Sequence, residues 1–584
     1  MPRYRRNNLY LAALLRKPTF RQSLWFALII ILSLASAVGM VRAGQVERDD
    51  RDYIIAGRLL DKQKSPVVSA HVAVGLPDVE EPLAETESQE DGNWALALAE
   101  RPVEPLEITI ERPHFENEKF VLGPDDMGEL LDTGSLGLGE LTISRQITPG
   151  FYAAAIIFVA VLLVIALEKM HSTTAALFGV SAVFLVSFIA VAFYPDLYII
   201  NFERALTYIN WEVIFLVMAM MIVVVVVEGT GIFQWTAFQA YRVSRGKTWL
   251  LILILMAVTA VASALLDNFT TMLLITPISL QIALGIGINP LALIIPEVLA
   301  SNVGGISTLI GTPTNILIGA HAGISFTDFL VNQTVGVVAA LVVMAAFVLW
   351  HYRKDLKTEG EGISPRLYEM LKERGQIENP DALRKSGIVF ALILVGFVVG
   401  ERFHVVPAVP ALIGATALLV WLRPDVQRMI LAVDWTTLVF FMALFMVVGA
   451  VQEVGIISFI AEGISRLVGE SLPLGIFVMV FGVGTLSVVI ANIPLAASML
   501  PVADFLSLSI PGADSKVLYY ALSMGAAMGG NGTLIGAEAN LVTAGITAQA
   551  GRPIAFGSFM KVGLPVTFLT LIIGYIWLLI RFVL

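Results

Sequence analysis

The chain has 584 residues, 57% hydrophobic and only 14% charged, against about 25% charged in an average soluble domain, which excludes a soluble enzyme and makes the bilayer its solvent. It has no Cys and six His, the latter in no ligand spacing such as HExxH, which excludes disulfide, thiol and zinc chemistry. The formal net charge of −10 is uneven: residues 44–148 hold 23 Asp/Glu against 9 Lys/Arg, a local −14 that leaves +4 for the remainder, and without a basic stripe nucleic acid is excluded as a partner.

Residues 1–23 form a basic leader with Arg3, Arg5, Arg6, Arg16, Lys17 and Arg21. The apolar run 24–43 follows, long enough at ~1.5 Å per residue to span the hydrocarbon layer. It reads as a transmembrane anchor or, with cleavage after Ala43, as a signal segment. Basic residues stay in the cytoplasm, so the acidic segment 45–147 is expected to be extracytoplasmic. That segment reads as β structure, in short alternating runs at Tyr53–Leu60, Val67–Val74, Trp94–Leu98, Leu106–Ile110 and Lys119–Leu122, separated by turn signals such as Asp91-Gly92-Asn93. The order Gly57-Arg-Leu-Leu-Asp61, Ser65-Pro-Val-Val-Ser-Ala70, Thr86, Asp91-Gly-Asn-Trp94 resembles the carboxypeptidase-regulatory-like, transthyretin-like β-sandwich. The resemblance implies a non-catalytic accessory module.

From Phe151 onward apolar runs dominate, several too short or too interrupted to span simply. Residues 150–352 and 387–584 form two halves around a linker, 353–386, which is expected in the cytoplasm with its basic residues, as are Arg242, Arg245, Lys247, Arg423, Arg428 and Arg552. That placement requires helical hairpins near 248–285 and 473–510. The halves repeat each other. At a shift of 224, Trp211 matches Trp435, Gly231-Ile232 matches Gly455-Ile456, Asn268 matches Asn492 and Pro277 matches Pro501. At a shift of 225, Gly304–Asn315 and Gly529–Asn540 share seven of twelve residues. An odd number of crossings separates the copies, so they are expected to be inverted, the architecture of secondary transporters whose substrates bind near the midplane between repeats. The expected fold is therefore a membrane α-helical protein of two inverted repeats with re-entrant hairpins and broken helices, plus the β-sandwich.

Gly304-Gly-Ile-Ser-Thr-Leu-Ile-Gly-Thr-Pro-Thr-Asn315 combines glycine, proline and polar side chains inside an apolar stretch, so a helix is expected to open there. Open backbone at membrane depth is tolerated only where it is buried in protein or lines a wet cavity. Freed carbonyls suit a cation and a freed helix N-terminus suits an anion. The competing explanation, close helix packing through small residues, is weakened because the motif occurs twice. Hairpin tips are expected at Asp267-Asn268-Phe269-Thr270-Thr271 and Ala491-Asn492-Ile493-Pro494, with the Asn capping the returning helix or facing a ligand. Asp267, Glu297 and Glu538 are ionisable within apolar runs and are candidate coupling carboxylates. Glu212, Glu228, Asp434, Glu453 and Asp504 sit near expected helix ends, where solvation accounts for them. Gly231–Arg245 and Gly455–Val468 are amphipathic and suited to the membrane interface.

These motifs resemble the ion transporter superfamily of arsenite permeases, NhaD-type sodium/proton antiporters, the melanosomal P protein and divalent-anion/sodium symporters. The P protein branch is most similar, through Glu297-Val-Leu-Ala-Ser-Asn-Val-Gly-Gly305, Thr308–Asn315, Asn492-Ile-Pro494 and Gly529–Gly536. The resemblance implies an elevator-type homodimer in the plasma (inner) membrane. By position it assigns Asn268, Thr270, Thr271, Asn302, Gly304, Gly305, Thr308, Gly311, Thr312 and Asn315 to one substrate- and ion-binding region. Asn492, Gly530, Asn531, Gly532, Thr533, Gly536 and Asn540 fall to the other, with Na⁺ implied in both. Ala491 stands where the symporter branch tends to carry an acid, and Glu538 where a small residue is usual. The expected function is cation-coupled (Na⁺ or H⁺) transport of a small anion or organic acid, with no cofactor beyond the coupling ion and no enzyme activity. Alternatives are a Na⁺/H⁺ antiporter, an arsenite exporter, or a receptor that senses through the exported module.

Overall fold

The computed structural model describes residues 53–584 apart from 63–65, 78, 80, 100, 103, 167–169, 356–367, 370–371 and 374. The basic leader and the first apolar run lie outside the described residues, as does much of the linker. Two compact units form. The first takes in the described residues up to Arg112 together with Asn117–Ile143, and the second Pro113–Glu116 with Ser144–Leu584.

Seven strands build the first unit: β1 (Tyr53–Asp61), β2 (His71–Gly75), β3 (Ala84–Glu87), β4 (Asn93–Leu98), β5 (Glu107–Glu111), β6 (Glu118–Val121) and β7 (Ser135–Ile143), with helix α1 (Pro124–Thr133) before the last. They form two sheets, ordered β4-β1-β7 and β3-β2-β5-β6. Alternation decides which face is buried: β4 turns Trp94, Leu96 and Leu98 inward and Asn93, Ala95 and Ala97 outward, while β2 buries Val72 and Val74 and β5 buries Ile108 and Ile110. Four of the five expected β runs are present nearly end to end, and the fifth, Val67–Val74, is strand only from His71. Strands β3 and β7 were not expected, because Ala-Glu-Thr-Glu has no apolar alternation and glycine interrupts β7. Both are recruited by pairing, β3 along β2 and β7 parallel to β1.

The second unit is helical. Its first half runs α2 (Pro149–Ala166), α3 (Ser172–Phe188), α4 (Phe202–Thr207), α5 (Trp211–Glu228), α6 (Ile232–Ser244), α7 (Thr248–Leu265), α8 (Asn268–Ile286), α9 (Leu291–Gly304), α10 (Pro313–Ala322) and α11 (Phe326–His351). Its second half runs α12 (Pro380–Glu401), α13 (Ala408–Leu422), α14 (Val426–Leu431), α15 (Trp435–Glu453), α16 (Ile456–Val468), α17 (Leu472–Phe477), α18 (Val483–Ser487), α19 (Asn492–Ser509), α20 (Val517–Gly529), α21 (Glu538–Gln549) and α22 (Phe556–Phe582). The sequence repeat is thus a repeat of elements: α4 to α6 recur as α14 to α16, α8 as α19, and α9-break-α10 as α20-break-α21. Helix α7 corresponds to α17 and α18 joined through a π-helical turn, Val478–Gly482. Gly231 and Gly455, at φ of 81° and 89°, each turn the chain into an amphipathic helix, a conformation that any Cβ would strain.

Eight helices among the described residues are long and apolar enough to cross a bilayer. Packing is reciprocal: α3 lies on α15 and α13 on α5, while α10 packs on α19 and α21 on α8. Each segment after a break therefore rests on the returning hairpin arm of the other half. Ser144 onward belongs to this unit, where Arg145 Nη1 donates to Glu453 O at 3.3 Å.

Candidate functional site

Both glycine motifs open as expected. Helix α9 ends at Gly304, the chain makes one 3-10 turn, Thr308 is extended (φ −132°, ψ 162°), and α10 starts only at Pro313 after Thr312 caps it. In the second half α20 ends at Gly529, Thr533 is extended (φ −139°, ψ 169°), and α21 starts at Glu538. The glycines permit close approach: a Cβ on Gly304 would sit 2.5 Å from Ala260 Cα, and one on Gly529 2.3 Å from Gly484 O. Proline at the first helical turn fits α10, since its missing N–H has no partner there in any case.

Backbone released from a helix at this depth needs partners. One asparagine per break provides them. Asn315 Nδ2 donates to Gly305 O, Ile306 O and Thr308 O at 3.2, 3.1 and 2.8 Å. Asn540 Nδ2 donates to Gly530 O and Thr533 O, both at 2.8 Å. Hydroxyls fasten each break to its hairpin at matching positions. Thr308 Oγ1 donates to Ala264 O and Thr533 Oγ1 to Val488 O at 2.5 Å. Ser263 Oγ donates to Ser301 O at 2.8 Å and Ser487 Oγ to Ala526 O at 2.7 Å. Several carbonyls that the opened backbone would present to a cation are therefore already occupied.

The tips depart from the expectation that asparagine caps the returning helix. Asp267 caps α8, its Oδ1 accepting from Thr270 N at 2.7 Å. Asn268 Nδ2 instead donates to Asn302 Oδ1 at 2.8 Å. Asn302 Nδ2 in turn donates to Asn531 Oδ1 at 2.8 Å and Asn540 Oδ1 at 2.9 Å, and Ser523 Oγ donates to Asn315 Oδ1 at 2.6 Å. At the second tip Ala491 offers no side-chain cap, and buried Asn492 is followed by Pro494 in the first turn of α19.

Between these elements and α15 lies a cleft of two adjoining cavities. The smaller, about 120 Å³, is lined by Asp267, Thr270, Ile310, Pro313 and the α5 side chains Val217 to Glu228. The larger, about 600 Å³, is lined by His171, Thr173, Ala491, Pro494 and Ile535. Phe269, Asp434, Thr437 and Glu538 line both. Both tips and residues of both breaks thus meet at one place. Asp267 and Glu538 are together there. Glu297, fully buried in α9, lines neither cavity, and Gly304, Gly305, Thr308, Gly311, Thr312 and Asn315 lie behind the lining, with Asn531, Gly532, Thr533 and Gly536 in the second half.

Sequence reasoning missed Asp434, which it assigned to solvation at a helix end. It does cap α15, accepting from Thr436 N and Thr437 N at 3.1 and 3.2 Å and from Thr437 Oγ1 at 2.6 Å, but it does so inside the cleft. The repeat held a signal: the shift of 224 pairs it with Asn210, the cap of α5, so an acid replaces an amide at one of two equivalent caps. Among the described residues the cleft's lining carries four carboxylates, Glu228, Asp267, Asp434 and Glu538, and, apart from His171, no basic side chain.

Residues 162–524 match the family described as citrate transporter. The chain is 36% identical over 435 residues to a 46 kDa membrane protein of Mycobacterium leprae, covering 74% of this chain and 98% of that one. It is 32% identical over 520 residues to the P protein of Homo sapiens, covering 76% of this chain and 60% of that protein. Among solved structures, the YdaH transporter of Alcanivorax borkumensis is similar at 14% identity and a TM-score of 0.47, covering 70% of this chain and 98% of that one.

Proposed function

The chain belongs to the citrate transporter family and is a membrane transporter, not an enzyme, and from that premise we propose that it carries a small carboxylate anion together with a coupling cation, Na⁺ or H⁺. The observation that carries this reading is the cleft, where Asp267, Asp434 and Glu538 surround the meeting point of both hairpin tips and both breaks. A bare anion is repelled by these carboxylates and by Glu228 beside them, so it enters only when cations or protons neutralise them. Thr270, which also lines the smaller cavity, offers its hydroxyl as a donor to the anion. Citrate, from the family's description, is the first substrate to test.

In this reading the two halves are inverted repeats. Helices α3, α5, α13 and α15 form the scaffold of an elevator-type homodimer, while hairpins and broken helices form the moving body. The reciprocal packing of α10 on α19 and α21 on α8 supports one body drawn from both halves. The basic residues Arg242, Arg245, Lys247, Arg423 and Arg428 lie in the cytoplasm. Asp434 follows the last two closely, so the cleft faces inward. Residues 45–147 are an extracytoplasmic β-sandwich of a multi-pass plasma-membrane protein.

Purified protein in proteoliposomes tests this by uptake of labelled citrate and dicarboxylates under an imposed Na⁺ or pH gradient. Saturable uptake that collapses with the cation gradient is expected. The lack of Lys and Arg among the described residues of the cleft's lining favours a second reading, Na⁺/H⁺ antiport through Asp267 and Glu538. Sodium flux driven by a pH gradient, undiminished when every carboxylate is omitted, would establish antiport and end the anion reading.

A further inference from the structure

Each break is held by an asparagine of its own half, yet the Oδ1 of that asparagine accepts from the other half: Asn315 from Ser523, and Asn540 from Asn302. The two links differ in reach. Ser523 makes a single bond. Asn302 uses both N–H groups, on Asn531 and Asn540, and its Oδ1 takes a third bond from Asn268. The side chain is 1% exposed, so its donors are spent and it has no face for a ligand. It does not line the cleft. The residues it joins stand next to ones that do: Asn268 follows Asp267, and Asn540 stands two residues after Glu538.

The relay has no counterpart in the repeat. The shift of 225 matches Asn302 with Ala527 and Asn531 with Ile306, so one half folds around an equivalent break with alanine at this place. An amide here is therefore not a requirement of the broken-helix motif. Buried amides are retained at a cost unless every group is satisfied, and this one is satisfied only by Asn268 on one side and by Asn531 and Asn540 on the other.

We propose that Asn302 is a positioning residue that couples the Asp267 corner to the Glu538 corner, so that a ligand bound at one reorganises the other. The inference rests on the cation-coupled reading above. A cation that draws Asp267 and Thr270 together moves the start of α8, and with it Asn268. Asn302 follows its acceptor bond and shifts Asn540, hence the first turn of α21 and Glu538. Coupling through such a relay is reciprocal, and typical couplings change affinity about 5- to 150-fold.

The test uses the full chain, with Na⁺ and citrate as probes. In the wild type the shift of thermal midpoint produced by Na⁺ and citrate together exceeds the sum of the separate shifts, and Na⁺ lowers the citrate KM about tenfold. In Asn302→Ala the joint shift equals the sum, and the citrate KM changes less than about twofold with Na⁺. Ser523→Ala, which removes the other cross-half bond, lowers the midpoint but keeps the joint excess. If Asn302→Ala does not fold, Asn268→Ala cuts the relay at its other end and is expected to abolish the excess. Either relay variant keeping the wild-type excess overturns the proposal, as does Ser523→Ala losing it equally. The same measurements with H⁺ in place of Na⁺ complete the design: a wild type whose citrate response ignores both cations overturns the cation-coupled reading itself, and this proposal with it.

Discussion

Asn315 and Asn540 do for an interrupted helix what its own N–H groups would have done. Their amides donate to five carbonyls between them, and truncation leaves those acceptors buried and unpaired. Asn315→Ala is expected to cost about 1–3 kcal/mol, read as a lower thermal midpoint, with Asn315→Asp no better because the carboxylate cannot donate. Asp434 belongs to the same scale. Asp434→Asn keeps the cap of α15 but removes one of four carboxylates lining the cleft. Loss of a charged partner is worth roughly 1.5–3 kcal/mol, so cation affinity in proteoliposome uptake is expected to fall about 10- to 100-fold. Asp504 pairs with His321 and Tyr519 away from the cleft, so Asp504→Asn is expected to leave cation affinity unchanged. Equal losses in both variants would remove Asp434 from the site. That Asp267 caps α8 while Asn268 turns inward was not legible in the sequence, because either residue type caps a helix well and only the position of Asn302 across the interface separates them.

At the scale of elements, the breaks were legible and their closure was not. Three glycines and a proline in the first motif, and four glycines in the second, disfavour a continuous helix inside an apolar stretch. Which groups would take up the released carbonyls depended on Asn315 and Asn540 folding back over seven to ten residues, and the same sequence is compatible with carbonyls left open to an ion. The close approach of α9 to α7 makes a sharp prediction. Gly304→Ala places a methyl 2.5 Å from Ala260 Cα, against backbone that cannot rotate away, and overpacking of this kind costs about 1–3 kcal/mol. Gly463 in amphipathic α16 meets nothing within 4 Å, so Gly463→Ala is expected to stabilise by about 0.5–1 kcal/mol. Thermal unfolding of the two variants should move in opposite directions; a shared direction would mean that α7 and α9 are not in contact as described.

On the scale of the molecule, the strands up to Ile143 form a contact unit of their own. Replacing residues 53–112 and 117–143 with flexible linkers, so that Pro113–Glu116 stay in the second unit and Arg145 keeps its bond to Glu453 O, is expected to leave uptake within about twofold of the full chain. Loss of uptake from this variant, in protein that still unfolds cooperatively, would give the first unit a part in transport. Membrane residence, the separate acidic segment, the two-fold recurrence and the positions of both breaks follow from the order of residues alone, because hydropathy, glycine and proline act locally, and a repeat is visible wherever it occurs. The association of Asp267 with Asp434 and Glu538, the exclusion of Glu297 from their company, and the amide relay through Asn302 were decided only by folding. Each brings together residues more than 30 positions apart, and in most cases from different halves, through reciprocal packing that no single stretch of the chain encodes.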